Sequence, residues 1–134
     1  MFSFNLIILI DDDPINNLIN KRLINKMNLS PLVIEFLEAE KALGYIGASN
    51  DNQKTLILLD INMPVMNGWE FLEKFKEKSL DTDIYVVLVS SSTYRDDKQK
   101  AFRSDKVIDY VTKPLGVSDV EKIKNLKEIK SYFN

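Results

Sequence analysis

The chain contains neither cysteine nor histidine among its 134 residues, and each absence excludes a class of chemistry. Without cysteine there is no disulfide and no thiolate nucleophile, which fits a reducing compartment. Without histidine there is no Ser-His or Cys-His nucleophile pair, no imidazole ligand for zinc, and no histidine to receive a phosphoryl group. Carboxylates, hydroxyls and amines are the functional groups that remain.

Long apolar segments and a large net charge are also missing. The first apolar run, residues 6–10, is short and has no basic flank, so it predicts a buried strand rather than a signal peptide or a membrane span. The net charge of −2 gives no general attraction to nucleic acid or to an anionic membrane. We therefore expect one cytoplasmic domain over residues 1–134, without an output domain and with no nucleic-acid or membrane partner.

The most informative segment runs from Leu56 to Gly68. Its aliphatic residues predict a strand buried on both faces, and the carboxylate of Asp60 follows them directly. A buried carboxylate is costly unless it is paired or bound to a metal, so the strand has no structural need for it. Pro64 and Gly68 then predict a loop, which places Asp60 where a strand opens into a crevice. This position is typical of a chemical site.

Strand-like and helix-like patterns alternate along the whole chain. Strands are predicted at residues 5–10, 32–37, 56–60, 84–90 and 107–111, with helices near residues 14–27, 40–48, 69–75, 95–103 and 118–133. The alternation predicts an α/β fold, a (βα)5 doubly wound parallel five-stranded sheet. The strand order known for this flavodoxin-like topology is 2-1-3-4-5, and we expect it here by analogy rather than from the pattern itself. In that order the chain reverses between strands 1 and 3, so the carboxyl ends of both strands border one crevice.

The first and last helices allow more detailed predictions. In the first helix, Asp13 is expected to be the N-cap and Pro14 the first residue, and the inward-facing stripe is expected to be Ile15, Leu18, Ile19, Leu23 and Met27. In the last helix, Ser118 and Glu121 are expected to form a capping box, and the inward-facing residues are expected to be Val120, Ile123, Leu126 and Phe133. Both helices should pack these apolar sides on the sheet.

Acidic residues end two strands that meet at the crevice. Strand 1 leads into Asp11 and Asp12 and strand 3 ends in Asp60, so the topology brings three carboxylates together. Each pair repels by about 1 kcal/mol at roughly 4 Å in water and by more in a cleft, and Lys113 offsets only one charge. Oxygen ligands without His or Cys favour Mg²⁺ as the remaining counter-ion. An acidic run alone is as often a solvated loop at a helix N-terminus, but Asp60 favours a phosphoryl-transfer site.

Two further polar residues end neighbouring strands at the same edge. Ser90 ends strand 4, and Lys113 follows strand 5 and precedes Pro114. Singly, each is typical of an ordinary strand end or turn. Together with the carboxylates, they supply the groups that transfer of a phosphoryl group to a carboxylate requires. Asp60 attacks phosphorus, Mg²⁺ and Lys113 neutralise the equatorial oxygens, and Ser90 donates a hydrogen bond to one of them.

With these segments in order, the chain resembles the receiver domain of two-component response regulators, of the single-domain chemotaxis type. The resemblance covers essentially the whole length and is carried by four motifs, Ile10-Asp11-Asp12-Asp13-Pro14, Leu59-Asp60-Ile61-Asn62-Met63-Pro64 through Asn67-Gly68, Val89-Ser90-Ser91, and Tyr110-Val111-Thr112-Lys113-Pro114. It implies that Asp60 is the phosphoacceptor. It also implies that Asp12 binds Mg²⁺ directly, Asp11 mostly through water, and Asn62 through its backbone carbonyl.

The resemblance assigns the remaining residues to a switch. Ser90 would be the switch hydroxyl, Lys113 the phosphate-binding lysine and Tyr110 the switch aromatic, with a cis peptide bond between Lys113 and Pro114. Because Ser91 and Ser92 follow Ser90, the hydroxyl could also come from a neighbouring serine. On phosphorylation Ser90 would move toward the phosphate, and Tyr110 would rotate inward to fill the space that it leaves.

The implied function is that of a phosphoacceptor signalling protein rather than a turnover enzyme. A sensor histidine kinase or histidine phosphotransferase would supply the phosphoryl group. The face made by helix 4, strand 5 and helix 5 would then change its binding to an unidentified downstream protein, with the chain a monomer or a weak dimer through that face.

Three alternatives are weighed against this function. A pseudo-receiver that acts without phosphorylation usually lacks an acid, the lysine or the phosphoacceptor, and all are present. A Mg²⁺-dependent phosphohydrolase with an aspartate nucleophile needs a second acid two residues on, where this chain has Asn62. A flavodoxin-like electron carrier needs a loop rich in hydroxyls and glycine after strand 1, and this loop is acidic instead.

Overall fold

The structure is a computed structural model that describes residues 2–48, 53–78, 83–91, 95–126 and 129. Strands and helices alternate in it, as the sequence predicts, and their bounds are β1 Leu6–Ile10, α1 Pro14–Lys26, β2 Val33–Phe36, α2 Ala39–Ala48, β3 Thr55–Asp60, α3 Gly68–Glu77, β4 Ile84–Ser90, α4 Arg95–Ala101, β5 Val107–Thr112 and α5 Val117–Lys124. Each strand agrees with its predicted bounds to within one residue at either end. Helix α4 ends two residues earlier than predicted.

The strands form one parallel sheet in the predicted order, β2-β1-β3-β4-β5. The pairing register aligns Ile10 with Leu59, Asp60 with Val89, and Ser90 with Thr112. Strands β1, β3, β4 and β5 therefore end side by side, and this edge of the sheet is called the carboxyl edge below. The chain reverses direction between β1 and β3, so a crevice opens at the carboxyl edge between these two strands.

Apolar side chains fill one layer on each face of the sheet. Helices α2, α3 and α4 pack on one face, where Leu43, Phe71 and Ala101 are buried among strand residues. Helices α1 and α5 pack on the other face through Ile24 and Val120. Because helices cover both faces, every residue of β3 is buried, including the terminal Asp60. Within the described part of the chain, none of the helices has the length and apolar character needed to span a membrane.

The start of α1 agrees with the prediction, but its inward face does not. The Asp13 side chain accepts a hydrogen bond from the Ile15 N–H at 2.9 Å, and Pro14 is the first helical residue. The first half of the predicted apolar stripe is wrong, because Ile15, Leu18 and Ile19 are 65%, 45% and 51% exposed. The residues that α1 buries are Asn17 and Ile24.

A side-chain hydrogen bond accounts for this rotation of α1. The Asn17 amide donates to the backbone carbonyl of Asp11 at 3.1 Å, which turns this residue toward the sheet. Ile24 lies seven residues further on and therefore faces the same way. The positions that flank Asn17 consequently face outward, and only the last two residues of the predicted stripe, Leu23 and Met27, are partly buried on the sheet.

The predicted capping box of α5 is also wrong. The helix begins at Val117, and the Gly116 N–H donates to the Asp119 carboxylate at 2.8 Å. Ser118 and Glu121, the predicted pair, therefore both lie inside the helix. Asp119 takes the role expected of Glu121 because it stands three residues after the true N-cap. The predicted inward side is confirmed at its centre, where Val120 and Ile123 are buried and Leu126 is partly buried; residue 133 lies outside the described residues.

Candidate functional site

Three carboxylates meet at the carboxyl edge. One oxygen from each of Asp11, Asp12 and Asp60 lies within 4.8 Å of the other two. Asp60 ends β3, and Asp11 follows Ile10, which pairs with the residue just before Asp60. Asp11 and Asp60 are buried, whereas Asp12 is exposed at the mouth of the crevice. The structure thus brings together the three acids that the topology predicted.

Lys113 bridges two of these acids. Its Nζ lies 3.1 Å from Asp11 Oδ2 and 3.4 Å from Asp60 Oδ1. The backbone N–H of Lys113 donates to the Ser90 carbonyl at 2.8 Å. The peptide bond between Lys113 and Pro114 is cis, as the resemblance implied. Among the described residues, one ammonium thus pairs with two of the three carboxylates, and the cluster keeps two unbalanced negative charges when all three acids are ionised.

Burial and charge shift the pKa values of this pair. Burial raises the pKa of Asp60, the charge of Asp11 raises it further, and Lys113 with the Asn62 N–H opposes the shift without cancelling it. Burial by itself would lower the pKa of Lys113, but its hydrogen bond to Asp11 and the charge of Asp60 outweigh burial, so the pKa is raised. The lysine is therefore held protonated, while the ionised form of Asp60 is destabilised. An added cation would stabilise that form.

The start of α3 is seated directly against the end of β3. The Gly68 N–H donates to the Ile61 carbonyl at 2.8 Å, and Asn67 caps the helix through a reciprocal pair of bonds with Glu70. A Cβ on Gly68 would lie 2.8 Å from the Asp60 carbonyl oxygen, which is backbone and cannot move aside easily. Only glycine permits this approach, so the loop that carries Asn62 is held close to Asp60.

Ser90 and Tyr110, the two residues predicted to form a switch, are both buried. Ser90 ends β4 and is fully buried, while Ser91 is exposed and Ser92 lies outside the described residues. Tyr110 is 8% exposed and packs in the apolar layer beneath α2, α3 and α4. Tyr110 is therefore a buried residue of this apolar layer, and its role as a switch stays a prediction.

The donors at this site fit a hard divalent cation. All three side chains offer carboxylate oxygens, which are the ligands that Mg²⁺ takes in proteins together with carbonyls and water. Asn62 is exposed in the loop after β3, and its N–H donates to Asp60 Oδ1 at 3.4 Å. With neither His nor Cys in the chain, the set excludes the usual nitrogen and sulfur ligands of zinc.

Two features of the site escaped the sequence-based prediction. Asn17 is fully buried against Asp11, but it is one of several polar residues in α1 and nothing in the pattern distinguishes it. Val65 in the loop after β3 has a positive φ of 67° and is 89% exposed. A β-branched residue rarely adopts that conformation, and the sequence would have predicted it only if glycine stood there.

Comparison with known proteins identifies the family. The chain matches the family described as "Response regulator receiver domain" over residues 7–125, and it belongs to this family. It is 33% identical to the two-component response regulator ARR16 of Arabidopsis thaliana over 122 residues, which cover 81% of this chain and 74% of that protein. A crystal structure of a two-component response regulator from Cytophaga hutchinsonii superposes with a TM-score of 0.83 at 31% identity, over 91% and 95% of the two chains. Members of the family are signalling phosphoacceptor domains rather than turnover enzymes.

More distant structures share the fold. The receiver domain of the sensor histidine kinase PA1611 from Pseudomonas aeruginosa, solved with a magnesium ion coordinated in its active-site cleft, is 16% identical with a TM-score of 0.72, over 89% of this chain and 93% of that one. The receiver domain of Ssk1 from Saccharomyces cerevisiae, solved with the histidine phosphotransfer protein Ypd1, is 22% identical with a TM-score of 0.72, over 92% and 88% of the chains.

Proposed function

We propose that this protein accepts a phosphoryl group on Asp60 from the phosphohistidine of a sensor kinase or a histidine phosphotransferase, and that it passes the signal to another protein. The observation that carries the proposal is the cluster itself. Three carboxylates share one crevice with a single bridging lysine, and the central acid ends a fully buried strand. A fold has no structural reason to maintain this arrangement, because burying unbalanced charge opposes folding.

The transfer needs one nucleophile and a charged environment. An oxygen of the Asp60 carboxylate forms a bond to phosphorus while the bond from phosphorus to the donor imidazole nitrogen breaks, and the leaving imidazole takes up a proton from solvent. Lys113, held 3.4 Å from Asp60, then contacts the charge that arrives on the phosphoryl oxygens. Asp12, Asp11, Asp60 and the Asn62 carbonyl would hold Mg²⁺, which would supply positive charge to balance those oxygens.

The exposed apolar residues of α1 supply a docking surface for the phosphodonor. A phosphohistidine on another protein must come within bonding distance of Asp60, so its carrier has to contact the rim of the crevice. Ile15, Leu18 and Ile19 lie in the first two turns after the acidic loop, and each is about half exposed or more. Apolar side chains clustered beside a crevice are typical of a protein-binding surface.

The signal would leave through the β5 region. In the phosphorylated protein the Ser90 hydroxyl donates to a phosphoryl oxygen, which favours the buried position of Tyr110 seen in this structure. In the unphosphorylated protein Tyr110 would then spend part of its time outside the apolar layer. Phosphorylation shifts this equilibrium and with it the surface that α4, β5 and α5 offer to a partner or to a second copy.

A small-molecule phosphodonor tests the phosphoacceptor role without the cognate kinase. Phosphoramidate with MgCl₂ should add one phosphoryl group to the wild-type protein, measured by intact-mass spectrometry, and chelation with EDTA should prevent the addition. Asp60→Asn should abolish labelling, whereas the control variant Asp119→Asn, which alters only the cap of α5, should retain it. Labelling that persists in Asp60→Asn would overturn the proposal.

A further inference from the structure

We propose that Asn17 is a positioning residue for the metal-binding loop, holding Asp11 and Asp12 in the arrangement that a divalent cation requires. The inference rests on the proposed function, since it concerns the same crevice. Asn17 lies inside α1, and its side-chain amide reaches the site through the backbone carbonyl of Asp11.

Asp11 is held at four separate polar atoms. Its N–H donates to the Phe36 carbonyl of β2 at 3.1 Å, and its Oδ1 accepts from the Asp13 N–H at 2.9 Å. Its Oδ2 faces Lys113 at 3.1 Å, and its backbone carbonyl accepts from Asn17 Nδ2 at 3.1 Å. The bond from Asn17 is the contact that ties the end of β1 to the body of α1.

Packing alone does not explain an asparagine at this position. Asn17 is fully buried, and its Oδ1 has no hydrogen-bond partner among the described residues. A buried acceptor without a partner opposes folding, and leucine has the same branched arrangement of heavy atoms without that penalty. Ile24, seven residues along the same face of α1, shows that this face accepts an aliphatic side chain. The position therefore requires the hydrogen-bond donor of the Asn17 side chain.

The hydrogen bond from Asn17 matters because it fixes one end of the loop that carries the exposed carboxylate. Asp12 lies between Asp11, fixed from α1, and Asp13, whose carboxylate and carbonyl are both bonded to the first turn of the helix. With both neighbours fixed, Asp12 keeps a carboxylate oxygen within 4.8 Å of those of Asp11 and Asp60. Without the Asn17 bond, the peptide after Asp11 can turn. Part of the binding free energy of the cation must then be used to order the ligands.

The test is a calorimetric titration with MgCl₂ of wild type, Asn17→Leu and Asn17→Ala, each shown to be folded by circular dichroism. We expect the dissociation constant for Mg²⁺ to rise about tenfold in both variants, as it does when an outer-shell partner of a metal ligand is removed. The labelling rate with phosphoramidate should fall at low Mg²⁺ and return to within about twofold of wild type at saturating Mg²⁺. Ile24→Val, on the same buried face but without contact to Asp11, is the matched control and should leave the dissociation constant unchanged.

The outcomes separate this inference from the proposed function. If wild type binds Mg²⁺ and is labelled, but the Asn17 variants bind Mg²⁺ as tightly as wild type, the positioning role is wrong and the phosphoacceptor function stands. If Ile24→Val weakens Mg²⁺ binding as much as Asn17→Leu does, the effect reflects a looser helix and the inference is also wrong. If wild type binds no Mg²⁺, both are wrong.

Discussion

Asp60→Asn should stabilise the metal-free protein at neutral pH, although it removes the proposed phosphoacceptor. The variant keeps the shape of the side chain and removes its charge. Asp11 and Asp12 each have a carboxylate oxygen within 4.8 Å of one of Asp60. At that distance and an effective dielectric constant of about 20, each of them repels Asp60 by about 3.5 kcal/mol. Lys113 at 3.4 Å attracts it by about 5 kcal/mol. Because Asp12 is exposed and its charge is partly screened, Asp60→Asn should relieve a net repulsion of about 1–2 kcal/mol.

The pH dependence follows from the raised pKa of Asp60. Between the ordinary carboxyl value of 3.8 and the raised pKa, Asp60 binds more protons in the folded protein than in the unfolded chain, so its contribution to wild-type stability falls as pH rises through this window. Asp60→Asn does not titrate there, so its advantage should be absent below the window and complete at neutral pH.

Thermal unfolding in EDTA at several pH values measures this difference. At neutral pH the midpoint of Asp60→Asn should lie about 5 °C above that of wild type. Asp12→Asn, which removes an exposed acid of the same cluster, is the matched control and should gain less. A variant that is less stable than wild type at neutral pH, or equally stabilised on both sides of the window, would refute the electrostatic reasoning.

Three further substitutions, one of them paired with a matched control, test the geometry of the site by urea unfolding in EDTA. Lys113→Met should lower the free energy of unfolding by about 3 kcal/mol, because two buried carboxylates lose their shared counter-ion. MgCl₂ should restore part of this stability. An unchanged free energy of unfolding would contradict the bridging role of the lysine. Gly68→Ala should lower it by about 2 kcal/mol through a backbone clash, whereas Gly44→Ala in α2, with open space around it, should raise it by about 0.5–1 kcal/mol; the same sign for both would be inconsistent with the clash. Val65→Gly should raise it by about 1 kcal/mol by relieving the positive φ, and a lower midpoint would contradict strain there.

The sheet and the site acids could be predicted because their signals are local in the sequence. Strands covered by helices on both faces are continuous apolar runs, so their bounds are visible to within a residue, and the acids after β1 and β3 interrupt those runs abruptly. The parallel order then fixes which strand ends are neighbours. Lys113 and Ser90 follow from the same reasoning, since Ser90 ends β4 and Lys113 directly follows β5 at the carboxyl edge.

Contacts between elements could not be predicted in this way. The rotation of α1 depends on one bond from Asn17 to the carbonyl of Asp11, the residue after β1. The apolar stripe gave no guide to this rotation, because its first residues face outward. The start of α5 was misplaced because Asp119 and Glu121 both offer a carboxylate near the N-terminus, and only the backbone at Gly116 decides between them. The buried position of Tyr110 is a choice between side-chain rotamers that no periodicity encodes.

The most direct test of the account is to locate the phosphoryl group. Wild-type protein labelled with phosphoramidate and MgCl₂ would be reduced with borohydride, which converts an aspartyl phosphate to homoserine, and then sequenced by tandem mass spectrometry. We predict a single converted residue, at position 60. Conversion at another position, or none in protein whose intact mass shows a phosphoryl group, would contradict the assignment of Asp60 as the phosphoacceptor.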